Sequence, residues 1–154
     1  MSSTSIDPGY QALLSIENAI RDLDRPTGIG TSFDVYGAHS APTYKYQATT
    51  DRQLIEEDLI GAAFVVAQTF INAFKSERRS PTQISVCHVA NYWKHRDTWD
   101  SLWIPQGELE RRTIGALRAL GFGPPIVLGQ LTAIVEKVLG ERFSGEVLWV
   151  AIAG

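Results

Sequence analysis

The chain has 154 residues, 44% hydrophobic and 20% charged, which is the composition of a globular protein and is long enough for a single domain over residues 1–154 with its own core. Its formal net charge of −3 argues against a generally basic, nucleic-acid-binding surface. Its one cysteine, Cys87, excludes an internal disulfide and favours a reducing, cytoplasmic location.

Neither end of the chain has the pattern of a targeting or membrane segment. The start, "MSSTSIDPG", lacks a basic region and an apolar run, so we expect no signal peptide. The longest apolar candidate, "VLWVAIA", is far shorter than the ~20 residues that span a bilayer. We therefore expect no contact with a membrane.

The first helix is marked at both ends. Asp7 suits its N-cap and Pro8 its first turn, while Pro26 and the glycines after it stop the helix by Arg25. Its apolar positions fall at helical spacing: Leu13, Ile16, Ile20 and Leu23.

Residues 25–50 have no helical period and contain three glycines and two prolines. One interpretation is a functional loop whose aromatic side chains, Tyr36 and Tyr44 among them, grip a protein partner or cover the core. The other is a pair of short strands, "TSFDVY" and "PTYKYQ", that form a small β-hairpin at about 31–47.

The second helix is the longest, with Thr50 and Gln53 in the pattern of a capping box at its start. Its apolar stripe is wide, which is typical of a central helix packed by several neighbours. The stripe consists of Leu59, Ala63, Val66, Phe70 and Phe74.

The third helix contains the stretch "HVANYWKHRDTW". Ser80 and Gln83 predict a capping box around Pro81, and we expect the helix to end near His95 to Asp97. At ~100° per residue, two faces separate. The core face contains Val86, Val89, Ala90 and Trp93, and the opposite face contains Ile84, His88, Asn91 and His95.

Two more helices follow, at about 107–120 and 126–139, separated by "GFGPP". Leu109, Ile114 and Leu117 belong to the expected buried line of the fourth helix. The tail "SGEVLWVAIAG" reads either as a strand or as a short helix capped by Ser144. The fold predicted is mainly α, a single-domain bundle of four to six helices.

Metal, cofactor and nucleophile sites find little support. His88 and His95 are about 10.5 Å apart along a helix at ~1.5 Å per residue, too far to share one ion. Cys87 is on a different face from His88, so no base activates it. No Walker loop or dinucleotide fingerprint is present. We expect no metal and no cofactor.

General acid–base chemistry on RNA is a metal-free alternative. His95 can transfer a proton near neutral pH, Asn91 on the same face can orient a phosphate, and the cations Lys94 and Arg96 can hold it. Equally, the two cations can simply favour the helix C-terminus. Trp99 and Trp103, just downstream, are candidates to wall a binding groove.

The stretch "ANYWKHRDTW" resembles the N-x-x-K-H helix of HEPN-like proteins, helical bundles common in bacterial and phage conflict systems. Active members are metal-independent RNases with an Arg four to six residues before a His, and they bring two motifs together in a dimer. The resemblance implies catalytic roles for Asn91 and His95 and a homodimer. The family's Arg falls on Ala90, which implies a degenerate, non-catalytic member unless Arg96 or Lys94 replaces it.

Three functions follow from these patterns. The first is a HEPN-like, non-catalytic domain that binds RNA or a protein partner through the face of His88, Asn91 and His95. The second is a ribonuclease toxin with His95 as general acid–base. The third is an interaction or inhibitory module that uses the aromatic loop at 33–46.

Overall fold

The computed structural model describes residues 7–24, 41–73 and 78–153, and within 41–50 only the course of the helix. Across these ranges the chain is mainly helical, as predicted, and contains no strand. A 3-10 turn, Arg96–Thr98, follows the helix Pro81–His95. The helices are α1 (Pro8–Asp22), α2 (Ala41–Ala73), α3 (Pro81–His95), α4 (Glu108–Ala119), α5 (Gln130–Leu139) and α6 (Gly145–Ala153).

The predicted caps form at Asp7, at Ser80 with Gln83, and at Ser144, whereas the capping box expected at Thr50 and Gln53 is wrong, because both residues lie inside α2. The Asp7 carboxylate accepts a hydrogen bond of 2.7 Å from the Gly9 N–H. Ser80 and Gln83 make both bonds of a capping box, at 3.1 and 2.9 Å. The Ser144 hydroxyl accepts from the Val147 N–H at 3.0 Å, so the tail takes the helical alternative.

The expected β-hairpin at about 31–47 is wrong in its second strand. Helix α2 begins at Ala41 rather than Thr50, so "PTYKYQ" is helical and Tyr44 belongs to α2. Pro42 is compatible with this start, because the first turn of a helix needs no N–H from it. Extending an existing helix fixes one residue for each new hydrogen bond, which outweighs a weak local strand preference. Residues 31–40, with Tyr36, lie outside the described residues.

The core lies around α2 and α3. Helix α2 packs against α1, α3, α5 and α6, and α3 packs against α2, α4, α5 and α6. This agrees with the wide apolar stripe of α2. On α3 the fully buried residues include the predicted Val86, Val89 and Ala90, together with Tyr92.

Helices α2 and α3 run antiparallel at very close range. A Cβ atom on Gly61 would lie 2.1 Å from Cε2 of the Trp93 ring, so only glycine allows this approach. Two turns further along α2, the Gln68 amide donates to Asn91 Oδ1 at 3.0 Å. The Arg96 guanidinium carbon lies 3.5 Å from the centroid of the Trp93 ring, a cation–π contact.

Helix α5 begins at a buried carboxylate. Glu57 of α2 accepts a hydrogen bond from the Gly129 N–H, immediately before α5, where Gly129 has a positive φ of 93°. Burial raises the pKa of Glu57 above its ordinary value of 4.5. α5 starts later than predicted, at Gln130, because Gly129 takes a left-handed conformation and its N–H donates to Glu57.

The described helices include none whose length and apolar character would allow it to cross a membrane.

Two glycine substitutions test the close packing of α2 and α3. We expect Gly61→Ala to destabilise the protein by about 1–3 kcal/mol, because the new methyl group overlaps the Trp93 ring. Gly115→Ala in α4 is the matched control, since a Cβ there meets nothing within 4 Å. It should stabilise the helix by about 0.5–1 kcal/mol. Urea denaturation measures both, and an unchanged midpoint for Gly61→Ala would contradict this packing.

Candidate functional site

The predicted polar face of α3 lies where α4 packs on it, and two clefts open there. The first, here called the arginine cleft, has a volume of about 500 Å³ and is lined by Gln68, Arg79, Ile84, Cys87, His88, Asn91, Leu109 and Arg112. The second, the glutamate cleft, has a volume of about 330 Å³ and is lined by Asn91, His95, Thr98, Trp99, Gly107, Glu108, Leu109, Glu110 and Thr113.

Asn91 and Leu109 line both clefts and form the boundary between them. Leu109 was expected in the buried line of the fourth helix, but it is 55% exposed. The structure therefore divides the predicted line of polar residues. It places His88 and Asn91 in the arginine cleft, and Asn91 and His95 in the glutamate cleft.

The Asn91 amide, at the boundary of the two clefts, bonds a described residue only through its oxygen. Its Oδ1 accepts from Gln68 Nε2 at 3.0 Å, which fixes the orientation of the half-buried amide. Its Nδ2 group donates to no described residue. Its two N–H bonds are thus available to an acceptor that enters either cleft.

The arginine cleft holds two guanidinium groups from different parts of the chain. Arg79, just before α3, donates to Asn72 Oδ1 at 2.8 Å and approaches Cys87 Sγ at 3.8 Å. Arg112 of α4 donates through Nε to Glu108 at 3.0 Å, and its two terminal amino groups bond no described residue. Each guanidinium therefore retains N–H groups that can donate to a ligand.

His88 is held against α4. Its Nδ1 lies 3.3 Å from the hydroxyl oxygen of Thr113, a residue with no exposed surface. Burial, and then the positive charge of Arg112, lower the pKa of His88 below its ordinary 6.5. The imidazole is therefore neutral at pH 7, and the cations of the cleft are the arginines.

Cys87 is a buried thiol in the same cleft. Burial raises its pKa above 9.0, although Arg79 and Lys94 oppose that shift. The thiolate is the nucleophilic form, and this environment disfavours it. The geometry thus supports packing as the role of Cys87.

His95 has acidic rather than basic surroundings. It is exposed, and the charged side chains that share its cleft are Glu108 and Glu110. The two cations proposed for it lie elsewhere. Lys94 is exposed and lines neither cleft, while Arg96 donates to the Trp93 carbonyl and stacks on the Trp93 ring. A phosphate beside His95 would face two carboxylates.

The two downstream tryptophans belong to the core. Tyr92, Trp99 and Trp103 pack on each other with ring centroids 5.4–6.1 Å apart. Trp103 is 1% exposed, so the expectation that it walls a groove is wrong. Trp99 is also buried but contributes to the lining of the glutamate cleft.

The position that the HEPN-like resemblance assigns to a catalytic Arg is closed. Ala90 is 0% exposed, so an arginine there would have to enter the core. The described residues also contain no group of three or more His, Cys, Asp or Glu side chains that could hold a metal ion.

Sequence reasoning missed Arg79, Arg112 and Gln68. None of the three belongs to a motif, a helix cap or the predicted polar face of the third helix. Only the packing of α4 and α2 around α3 brings them beside His88 and Asn91. No local pattern in the sequence could have indicated that these residues lie close together.

Comparison with known proteins gives no match: no family model, no curated protein and no solved structure matches the chain. A function for the two clefts therefore has to be argued from their own residues.

The lowered pKa of His88 predicts a pH dependence of stability. The unfolded chain binds this proton more tightly than the folded one, so stability is lost as the pH falls below about 6.5. We expect His88→Asn, which retains a polar partner for Thr113, to lose less stability than the wild type between about pH 7 and about pH 5. An NMR titration that gives His88 a pKa at or above 6.5 would contradict this.

Proposed function

We propose that this chain is a non-catalytic binding domain that holds a segment of a protein partner on the arginine cleft. One observation carries the proposal: two arginines and two exposed aliphatic residues line the same cleft. Arg79 and Arg112 accompany Ile84 and Leu109, which are 45% and 55% exposed. Arginine beside apolar surface is the composition of protein interfaces.

A protein partner fits the cleft better than RNA does. Recognition of single-stranded RNA depends on aromatic rings that stack with bases. No aromatic residue is among the described residues that line the arginine cleft. The rings of Trp99 and Trp103 pack in the core instead, and the ring of Trp93 is covered by Gly61 and Arg96.

The proposal sets the ribonuclease alternative aside. His95 shares its cleft with Glu108 and Glu110, and no Lys or Arg is among the described residues that line that cleft, so it lacks a cation to hold a phosphodiester. His88, which has arginines nearby, is half-buried against Thr113. The HEPN-like kinship, a role in a conflict-type system, the homodimer and the cytoplasmic location remain predictions of the sequence. So does the aromatic-loop alternative, because Tyr36 lies outside the described residues.

The non-catalytic part of the proposal has a direct test. We expect the purified protein, incubated with bulk RNA in EDTA, to release no fragments above a buffer control, and His95→Ala to behave identically. Cleavage by the wild type that His95→Ala abolishes, with the thermal unfolding of the variant unchanged, would establish the ribonuclease instead.

Photo-crosslinking tests the surface. A photoreactive amino acid replaces Ile84 or Leu109 in the cleft, or Val150 of α6 as a control that is 61% exposed. We expect crosslinked products in the native host that proteases remove and nucleases do not, at Ile84 and Leu109 but not at Val150. Nuclease-sensitive products at Ile84, or the same products at all three positions, would contradict the proposal.

A further inference from the structure

We infer that the partner segment is acidic and amphipathic, with carboxylates bound by the arginine cleft and aliphatic side chains on Ile84 and Leu109. This inference rests on the proposed function and specifies the chemistry of the partner. The charge of the cleft is the first reason. Arg79 and Arg112 line the cleft, and no Asp or Glu is among the described residues that do so.

The donors that line the cleft are partly unused. The terminal amino groups of Arg112 and the Nδ2 group of Asn91 bond no described residue. A carboxylate has two oxygens and about four lone-pair sites, so it can accept from both an arginine and an amide.

Among the described residues, the acidic contact to an arginine of the cleft is weak. Glu108 bonds Nε of Arg112 at 3.0 Å, but both side chains are more than half exposed, and Glu108 also bonds Arg111. Exposed ion pairs contribute little, ~0–1 kcal/mol. A carboxylate from a partner can therefore bind the terminal amino groups of Arg112 while Glu108 keeps its contact with Nε.

Arg79 is held in place before any ligand arrives. Its two terminal nitrogens contact Asn72 Oδ1 and Cys87 Sγ. A side chain already restrained by such bonds loses less conformational entropy on binding. The cleft thus has one guanidinium, that of Arg79, restrained at both terminal nitrogens, and one, that of Arg112, restrained only at Nε.

Apolar and polar groups alternate along both helices of the cleft. On α3, Ile84 lies one turn before His88, and on α4, Leu109 lies one turn before Arg112. A partner helix with acidic and aliphatic residues at i, i+3 and i+4 matches this spacing. A nucleic acid would leave Ile84 and Leu109 without an apolar partner, so the observations favour the peptide.

Fluorescence anisotropy with defined probes tests the inference. The probes are a labelled helical peptide of about 20 residues, long enough to form a helix, with Glu and Leu at helical spacing; the same peptide with Gln for Glu; and a single-stranded RNA of equal length. We expect the acidic peptide to bind at least about tenfold tighter than the Gln peptide and the RNA. Its affinity should decrease with added salt.

Charge-removing variants assign the binding to the cleft. Arg112→Gln should weaken binding of the acidic peptide about tenfold, and Arg79→Gln should weaken it by a similar factor. Arg111→Gln is the matched control, because Arg111 is next in sequence and equally exposed, at 67% against 69%, but does not line the cleft. It should bind as the wild type does, and thermal unfolding verifies that each variant is folded.

Three results would overturn the inference: equal binding of the Gln peptide, tighter binding of the RNA, or Arg112→Gln binding the acidic peptide as well as the wild type. If these occur while a protein still crosslinks at Ile84, the inference fails and the proposed function stands. If Ile84 yields no protein crosslink and no peptide binds, both fail.

Discussion

The contact between the Trp93 ring and the backbone of Gly61 sets the distance between α2 and α3, and the remaining geometry depends on it. Because Gly61 has no Cβ, the two helices approach closely enough for Gln68 to reach Asn91 at 3.0 Å. That bond orients the amide at the boundary of the two clefts. The same ring attracts Arg96, which removes a cation from the surroundings of His95. One packing contact therefore affects both clefts.

The parts of the fold that the sequence predicted are those fixed by neighbouring residues. Asp7, Ser80 and Gln83 make their predicted caps because a cap requires residues only two or three positions apart. The start of α2 at Ala41 was missed because strand preference and helix extension compete there, and the sequence "PTYKYQ" does not decide between them. The later start of α5 involves the distant carboxylate of Glu57, which no local pattern around Gly129 contains.

The candidate site was predictable only along α3. The helical period correctly separated buried Val89 and Ala90 from His88, Asn91 and His95. It could not indicate that α4 covers part of this face and divides it into two clefts, one lined by two arginines and the other by two glutamates. Arg112 comes from that covering helix, and Arg79 from the turn before α3. Trp103 entered the core through a turn with a positive φ of 57°, a conformation that propensity does not predict for tryptophan.

The net charge of this protein disfavours the approach of an anion, whereas the two arginines of the cleft favour an anion at contact distance. The net charge of −3 does not attract anions from a distance, and interactions between exposed charges decay over a Debye length of ~8 Å at physiological salt. The arginine cleft can therefore act on an anion only after it has approached to contact distance. There, Arg79 and Arg112 contribute charge, and Ile84 and Leu109 contribute apolar area. A ligand that is only charged can interact favourably with the two arginines alone. A ligand that also has aliphatic side chains can in addition bury the apolar surface of Ile84 and Leu109.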